Sequence, residues 1–416
     1  MSKIYVVPGK RIPFMKAGKE YSQIESIGLS APVIRELANT ARPDFVVWGQ
    51  VIPDPTISNL GREMLLEAEL DPSIPAFSTQ LACATSAMAS IQAAGMIGKG
   101  GAELAIAGGV ESMSHIHIAL KAPVSQRLMA AFQQDPGEAM KQFQELTPDD
   151  FNLPINSWAN RISGRSMGDH TEDTARFFGI TRQAQDEIAF NSHKKTAAAW
   201  DNGFFDDLVI PFDGNERDGL PRPDTSLEKL ASLRTVFDTS ESGSITAGNA
   251  SPLTDGAAGV WLASETGLKS LDDTYAVEFV DWQVAAMDYH EEGILMAPAR
   301  ALPKLLARHE LRLEDIAFFE IHEAFAAQVL ANIKAFTDPQ YRKEKAGVDF
   351  DLGEFPFERL NPHGGSIAIG HPFGATGARI MSQTAKHLST HPSGSYAVIS
   401  LCADGGQGVV LLLRAR

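Results

Sequence analysis

One local plan occurs twice in this chain of 416 residues: a reactive side chain, a helix of small residues, a strand and a glycine turn. In the first copy, Cys83 precedes the helix that leads to the strand Leu104–Ala107. In the second copy, His371 precedes the helix, and Cys402 follows the strand Tyr396–Leu401. We interpret the two copies as a weak internal repeat. Packed back to back, they would bring Cys83 and His371 together at helix N-termini, where the helix dipole favours a thiolate.

Strand-like and helix-like segments alternate in residues 1–118 and again in residues 275–416. Such alternation predicts α/β layers with much parallel strand pairing. Residues 119–246 are richer in Gln, Met, Asp, Asn and Pro. They predict amphipathic helices near Gln126–Gln144 and Arg182–Asn202, followed by irregular loops. We therefore expect three parts: a first half formed by 1–118 with 247–274, an inserted loop domain 119–246, and a second half 275–416.

Composition excludes several classes of function. The net charge of -16 disfavours a nucleic-acid partner, which requires a basic surface. Two cysteines outside any Cys-x-x-Cys motif favour a reducing compartment over a disulfide framework, and they do not indicate a zinc site. With no apolar run of about 20 residues and no signal-like start, the expected location is the cytoplasm. An anionic substrate would need a local basic patch, for which the candidates are Arg161, Arg165, Lys194, Lys195, Arg222 and Arg234.

Four residues at the junctions of the repeated plan suggest chemistry, although each has an ordinary interpretation. A free cysteine such as Cys83 or Cys402 is most often a small core or turn residue. His371 in GHPFGATG could be a loop histidine, and His322 in IHEAFAAQ a polar residue at a helix entry. GHPFGATG lacks the spacing of a dinucleotide or phosphate loop. Because all four residues occur at such junctions, the sequence favours covalent sulfur catalysis.

Taken together, the motifs resemble the thiolase family along nearly the whole chain. The segments that carry the resemblance are QLACATSAMAS, GGVESMS, RSMGDHTE, LRTVFD, AGNASPLTDGAA, HEAFA, GGSIAIGHPFGATGAR and CADGGQG. The resemblance implies the thiolase fold, with two related αβαβα-type halves and an inserted loop domain. It also implies acyl-CoA and CoA as substrates, no separate cofactor or metal, and a homodimer or dimer of dimers.

The resemblance assigns a role to each matching residue. Cys83 corresponds to the nucleophile, His371 to its activating histidine, and Cys402 to the acid/base cysteine. His322 and His371 are candidates for the site that binds the enolate oxygen. The second oxyanion hole would use backbone N–H groups of Cys83 and of the turn Asp404–Gly405. The expected CoA and acyl contacts are Ser166, Met167, Arg234, Phe237, Ala247, Ser251 and Phe325.

This chain departs from the common family pattern at several positions. His322 stands where many thiolases have Asn, and Pro252 where many have Gly. Both features resemble the β-subunits of fatty-acid-oxidation complexes, and His322 points to longer acyl chains. Asp404 places a carboxylate beside an oxyanion hole, which is electrostatically unfavourable unless its side chain turns away. Ser166 stands where short-chain relatives often have His, which puts one CoA contact in question.

The sequence therefore predicts a 3-ketoacyl-CoA thiolase of fatty-acid β-oxidation, which forms an acyl-Cys83 intermediate. The alternative is a short-chain acetyl-CoA C-acetyltransferase. A decarboxylating ketoacyl synthase is disfavoured by Cys402, and an acyl-CoA-binding relative without catalysis is disfavoured by the presence of both thiols and His371. The segment Gln126–Leu146 carries an apolar stripe, which packs on its own loop domain or docks a hydratase/dehydrogenase α-subunit or a membrane.

Overall fold

The structure, a computed structural model, describes residues 3–152, 159–272 and 274–416. In these ranges a mixed sheet of ten strands forms the centre of the molecule. The strands of the chain are β1 (Ile4–Val7), β2 (Met15–Lys16), β3 (Phe45–Gly49), β4 (Ala76–Thr79), β5 (Leu104–Glu111), β6 (Ala119–Leu120), β7 (Phe151–Asn152), β8 (Thr254–Ser264), β9 (Val277–Ala286), β10 (Ile316–Ile321), β11 (Tyr396–Ala403) and β12 (Gln407–Ala415). Strands β6 and β7 pair separately, outside the central sheet.

Helices cover the sheet and build the inserted region. They are α1 (Ser26–Thr40), α2 (Leu60–Glu67), α3 (Thr85–Gly98), α4 (Ala122–Gln134), α5 (Pro136–Gln144), α6 (Met167–Phe178), α7 (Arg182–Asp201), α8 (Leu227–Ala231), α9 (Pro298–Arg308), α10 (Ala326–Thr337), α11 (Pro339–Tyr341), α12 (Ser366–Ile369) and α13 (Thr376–Leu388). No helix in the described ranges has the length and apolar character needed to cross a bilayer.

The sheet shows the repeat in three dimensions. Its order is β10-β11-β12-β9-β1-β8-β5-β3-β4, with β2 paired to β8. In one half, β3 lies parallel to β5, which pairs antiparallel with β8. In the other half, β10 lies parallel to β11, which pairs antiparallel with β12. Strands β1 and β9 join the halves edge to edge, so both halves contribute to one continuous sheet.

Helices α3 and α13, which occupy equivalent positions in the two halves, contact each other through small residues. A Cβ atom on Gly377 would lie 2.5 Å from the backbone nitrogen of Ala87, so only glycine allows this approach. The Ala378 N–H donates to Oγ of Ser86 at 2.9 Å across the same contact. The close packing places the two helix N-termini, and the residues before them, side by side.

The inserted region differs from the sequence prediction in two respects. The single helix predicted near Gln126–Gln144 is wrong: α4 ends at Gln134 and α5 begins at Pro136. Proline has no N–H to continue the first helix, and the Asp135 side chain accepts from Gly137 N at 2.8 Å to start the second. The sequence prediction of two helices in this region also missed α6, which lies between them. The division into three parts, at 118, 246 and 274, stays a prediction.

Candidate active site

The turn that carries Cys83 connects β4 to α3 and contains local strain. Ala82 has φ of +42°, a left-handed conformation that side chains rarely adopt. The Thr85 hydroxyl donates to Ala82 O at 2.7 Å and accepts from Leu81 N at 2.8 Å, which holds the turn closed. Cys83, whose exposure as a residue is intermediate, is therefore fixed one residue before the cap of a helix.

The loop before α13 fixes both the position and the tautomer of His371. The backbone N–H of His371 donates to Oγ1 of Thr254 at 3.0 Å. The hydroxyl of Thr376 donates to Pro372 O at 2.9 Å and lies 2.7 Å from Nδ1 of His371. Since the single hydroxyl proton is used by the carbonyl, Thr376 accepts from Nδ1–H. The lone pair of His371 is thus on Nε2, which has no hydrogen-bond partner among the described residues.

His322 follows β10 and lies against the ring of His371. Its backbone N–H donates to Ser400 O at 2.8 Å, so it is aligned with β11, the strand that carries Cys402. The centroids of the two rings are 4.1 Å apart. Sγ of Cys83 and one ring nitrogen of each histidine all lie within 4.8 Å of one another. The structure therefore brings Cys83, His322 and His371 together, although they belong to opposite halves of the chain.

Cys402 lies near the end of β11, where it pairs with Gly408 of β12. Its side chain is 1% exposed and packs in an apolar cluster. The cluster contains Ile245, Ile294, Leu295, Ala324, Phe325 and Cys402, with Met167, Phe237, Ala250 and Tyr289 against it. Burial raises the pKa of the Cys402 thiol well above its ordinary value, and the neighbouring Cys83 raises it further. The second thiol is therefore protonated at rest and lies beside the first.

The resting nucleophile is also a neutral thiol. Burial raises the pKa of Cys83 to about 12, and the carboxylates of Asp404 and Glu111 add to this effect. Backbone N–H groups of Cys83 and Asp404 lower the same pKa, but by less. Burial lowers the pKa of His371 to about 3, so its imidazole is neutral. The helix N-terminus was expected to favour a thiolate by lowering the pKa of Cys83, but loss of water around the sulfur acts in the opposite direction and the pKa is raised.

The carboxylate of Asp404 is held by the inserted region. Its Oδ1 accepts from Nδ2 of Asn160 at 2.9 Å and from the Gly405 N–H at 2.6 Å. The side chain is thus turned towards Asn160, while the backbone N–H of Asp404 remains directed at Cys83. The Gly405 N–H is used by this carboxylate. Of the two turn residues predicted for the oxyanion hole, Asp404 and Gly405, it is Asp404 that supplies the N–H that reaches the sulfur.

The residues predicted to contact CoA and the acyl group fall into two sets. Met167, Phe237 and Phe325 all belong to the apolar cluster beside Cys402, and the rings of Phe237 and Phe325 are 6.0 Å apart. Ser251 N donates to Ala324 O at 2.9 Å, which ties its loop to the segment after His322. These residues form a wall of the site.

The remaining predicted contacts lie outside the apolar cluster. Ser166 caps α6: its hydroxyl donates to Asp169 at 2.7 Å and accepts from the Asp169 N–H at 3.1 Å. Arg234 and Ala247 are exposed. Arg234 forms no ion pair with any residue that the structure describes, so its charge is available for a phosphate group.

Half of the predicted basic patch is occupied by contacts within the protein. Arg165 pairs with Asp173, Lys194 donates to Pro223 O at 2.7 Å, and Lys195 donates to Leu360 O at 2.5 Å. Three members of the patch, Arg161, Arg222 and Arg234, are exposed and form no ion pair within the described ranges, and Lys194 is exposed with its ammonium bonded to a backbone carbonyl.

One cluster of side chains in the described ranges has the composition of a metal site. Cys83, His322 and His371 offer one sulfur and two nitrogen donors, which suit a soft ion such as Zn²⁺. The prediction of a metal-free site therefore stays a prediction. Activity measured before and after dialysis against a chelator tests it, and recovery on adding zinc would contradict it.

Several residues that build the site were missed by the sequence analysis. Glu111, whose pKa burial raises to about 7, accepts from the N–H groups of Val51, Ile52 and Gly374 and so links the two halves. The others are Asn160, Thr254, Ser366, Thr376 and Arg379. Ser366, Thr376 and Arg379 could have been found from the sequence, because they are the polar residues inside the small-residue motif GGSIAIGHPFGATGAR. No motif in the sequence indicates Asn160.

Comparison with known proteins shows the family to which the chain belongs. The family description "Thiolase, N-terminal domain" matches residues 4–266, and "Thiolase, C-terminal domain" matches residues 274–415. A 3-ketoacyl-CoA thiolase of Pectobacterium carotovorum is 36% identical over 99% of this chain and 96% of its own length. One of Yersinia enterocolitica is 35% identical with the same coverage.

Solved structures show the same fold. The acetyl-CoA acetyltransferase of Bacillus anthracis superimposes with a TM-score of 0.82 at 29% identity, covering 100% of this chain and 99% of its own. Human mitochondrial 3-ketoacyl-CoA thiolase does so with a TM-score of 0.81 at 25% identity and the same coverage. The predicted fold and the predicted acyltransferase reaction are confirmed. With both family descriptions matched along nearly its whole length, this chain belongs to the thiolase family.

Proposed function

We propose that the protein cleaves 3-ketoacyl-CoA with CoA, giving acetyl-CoA and an acyl-CoA shortened by two carbons, with Cys83 carrying the acyl group. The observation that supports this most is the convergence of the Cys83 sulfur and the His322 and His371 nitrogens within 4.8 Å, beside Cys402. A thiol is a suitable nucleophile for a carbonyl carbon once a base removes its proton.

Each proton in the reaction has a source. Nε2 of His371 takes the proton of Cys83 as the sulfur attacks the 3-keto carbon. The C2–C3 bond then breaks and leaves the acyl group on Cys83 and the enolate of acetyl-CoA. Cys402 protonates the enolate carbon. As a thiolate, Cys402 next removes the proton of incoming CoA, whose sulfur displaces the acyl group from Cys83. The departing Cys83 sulfur takes its proton back from His371, which restores both residues to their resting state.

We infer a preference for medium or long acyl chains over acetoacetyl-CoA. Support comes from His322, from the apolar cluster beside Cys402, and from the curated relatives named 3-ketoacyl-CoA thiolase. The similarity to an acetyl-CoA acetyltransferase supports the short-chain alternative. The preference is tested by specificity constants for 3-ketoacyl-CoA substrates of increasing acyl chain length. The reaction is followed by the loss of absorbance of the substrate's enolate form. An optimum at four carbons would overturn it.

We also propose a binding partner for the inserted region. Exposed apolar side chains on α4 and α5, each more than half exposed, support docking of a hydratase/dehydrogenase α-subunit, with a membrane as the alternative; they are Met129, Phe132, Met140 and Phe143. A homodimer or dimer of dimers and a cytoplasmic location stay predictions. Co-purification from the source cells tests docking, and a homo-oligomer without a partner would contradict it.

A further inference from the structure

We propose that Ser366 and Arg379 are positioning residues that hold His322 as an Nε2–H donor directed into the active site. This inference rests on the proposed function, because it assigns that N–H to the enolate oxygen formed when the C2–C3 bond breaks. His371, whose ring lies against that of His322, has the opposite tautomer and is the base that removes the proton of Cys83.

The tautomer follows from a chain of two hydrogen bonds. Nη2 of Arg379 donates to Oγ of Ser366 at 2.8 Å, and the same Oγ lies 2.8 Å from Nδ1 of His322. A guanidinium can only donate, so the serine oxygen accepts from Arg379. Among the described residues, Nδ1 of His322 is the one acceptor for the remaining serine proton. A neutral imidazole that accepts at Nδ1 carries its hydrogen on Nε2.

The free end of the His322 ring faces the reacting groups. Nε2 is buried and has no hydrogen-bond partner among the described residues. The ring lies against that of His371, and the two histidines form a cluster with the Cys83 sulfur. An unpaired N–H in this position costs free energy unless a substrate oxygen accepts from it. Donors of this kind stabilise negative charge that develops in a transition state.

The relay is buried among further titratable side chains. Ser366 and Arg379 are 0% and 3% exposed, and Arg379 faces the carboxylates of Glu320 and Glu323. Glu323 accepts from Ser192 and from Asn361, at 2.7 and 2.6 Å. Burial lowers the pKa of His322 well below its ordinary value, and the neighbouring His371 and Arg379 side chains lower it further, because a second positive charge beside them is unfavourable. His322 therefore stays neutral.

The contrast with His371 arises from the second partner of each hydroxyl. Thr376 gives its proton to the carbonyl of Pro372 and so accepts from His371. Ser366 receives a proton from Arg379 and so donates to His322. Two adjacent rings thus present a lone pair and an N–H to the same space. The first suits removal of the Cys83 proton and the second suits an oxyanion.

Nitrogen NMR of protein labelled with ¹⁵N-histidine reads the tautomers directly. Spectra of His322→Asn identify the His322 signals. The expected result is a protonated Nε2 and an unprotonated Nδ1 on His322, and the reverse on His371. Protonated Nδ1 on His322 in the unaltered protein would overturn the proposal.

Steady-state kinetics provide a second measurement. Ser366→Ala should lower kcat about 10- to 100-fold with little change in KM, since loss of a full oxyanion donor costs about 10²- to 10³-fold. Ser366→Thr retains the hydroxyl and should recover most of kcat. Ser90→Ala, a buried serine on α3 whose hydroxyl donates to Ser86 O, is the matched control. Equal kcat values for Ser366→Ala and Ser90→Ala would overturn the proposal.

The two hypotheses fail in different ways. If the unaltered protein does not thiolyse any 3-ketoacyl-CoA, the proposed function is wrong, and the tautomer is still readable by NMR. If thiolysis is normal and His322 carries its hydrogen on Nδ1, the proposed function stands and the positioning role of Ser366 and Arg379 is wrong.

Discussion

The centroids of the His322 and His371 imidazole rings lie 4.1 Å apart, and the two ring planes are inclined by 51° to each other. Both rings are buried, and each has its Nδ1 bonded to a hydroxyl and its Nε2 unpaired within the described residues. This site therefore contains two neutral imidazoles side by side.

Alkylation should label Cys83 before Cys402. Cys83 is partly exposed, whereas Cys402 is 1% exposed. Because the pKa of Cys83 is raised to about 12, its thiolate fraction, and hence its alkylation rate, should still be rising between pH 8 and pH 10. Peptide mapping after substoichiometric iodoacetamide at several pH values measures both. A plateau below pH 8 would show that the surroundings of the sulfur lower its pKa.

Replacement of Cys402 by serine should lower turnover without preventing acylation of Cys83. A general acid–base group contributes about 10²- to 10⁴-fold in rate, and a serine hydroxyl is too weak an acid to replace the thiol. The burst of Cys83 acylation by an acyl-CoA, followed by rapid quench, should persist in part. Near-normal thiolysis by Cys402→Ser would contradict its role.

Removing the charge of Asp404 should make Cys83 more reactive. The carboxylate raises the pKa of the Cys83 thiol, and asparagine keeps an oxygen that accepts from Asn160. Asp404→Asn should therefore be alkylated about three- to tenfold faster at pH 8, since a single nearby charge changes a partly screened pKa by this order. Asp349→Asn, on the surface beside Lys343, is the control. An unchanged rate would show that the carboxylate has no effect on the sulfur.

The sequence was sufficient to predict the repeated plan and the four residues at its junctions. Small residues at helical spacing allow α3 and α13 to touch, and that contact places Cys83 beside His371. The contact between Asn160 and Asp404 spans 244 residues, and no local pattern encodes it. The prediction of a lowered pKa for Cys83 was wrong for the same reason, because burial depends on every segment that covers the sulfur.

Two local signals in the inserted region were present but not used. Asp135-Pro136 combines a helix cap with a residue that cannot continue a helix, which explains the break between α4 and α5. Ser166 and Asp169 have the spacing of a capping box and start α6. Both features are readable from sequence, whereas the packing of these helices depends on the fold.

The acid limb of the pH profile should lie well below the ordinary titration range of histidine. Burial lowers the pKa of His371 to about 3, so the base stays unprotonated as the pH falls from 8 to 5. The specificity constant, which reports groups of the free enzyme, should therefore lose little from histidine protonation over this interval. A tenfold fall centred near the ordinary histidine pKa of about 6.5, with the fold intact by circular dichroism, would contradict the lowered pKa.

The central claim is that Cys83 carries the acyl group. The most direct test is mass spectrometry of the protein quenched in acid after brief exposure to a 3-ketoacyl-CoA without free CoA, followed by peptide mapping. The account predicts one added acyl group on the peptide that contains Cys83, and none in Cys83→Ser. An acyl group on Cys402, or turnover by Cys83→Ser at the normal rate, would contradict it.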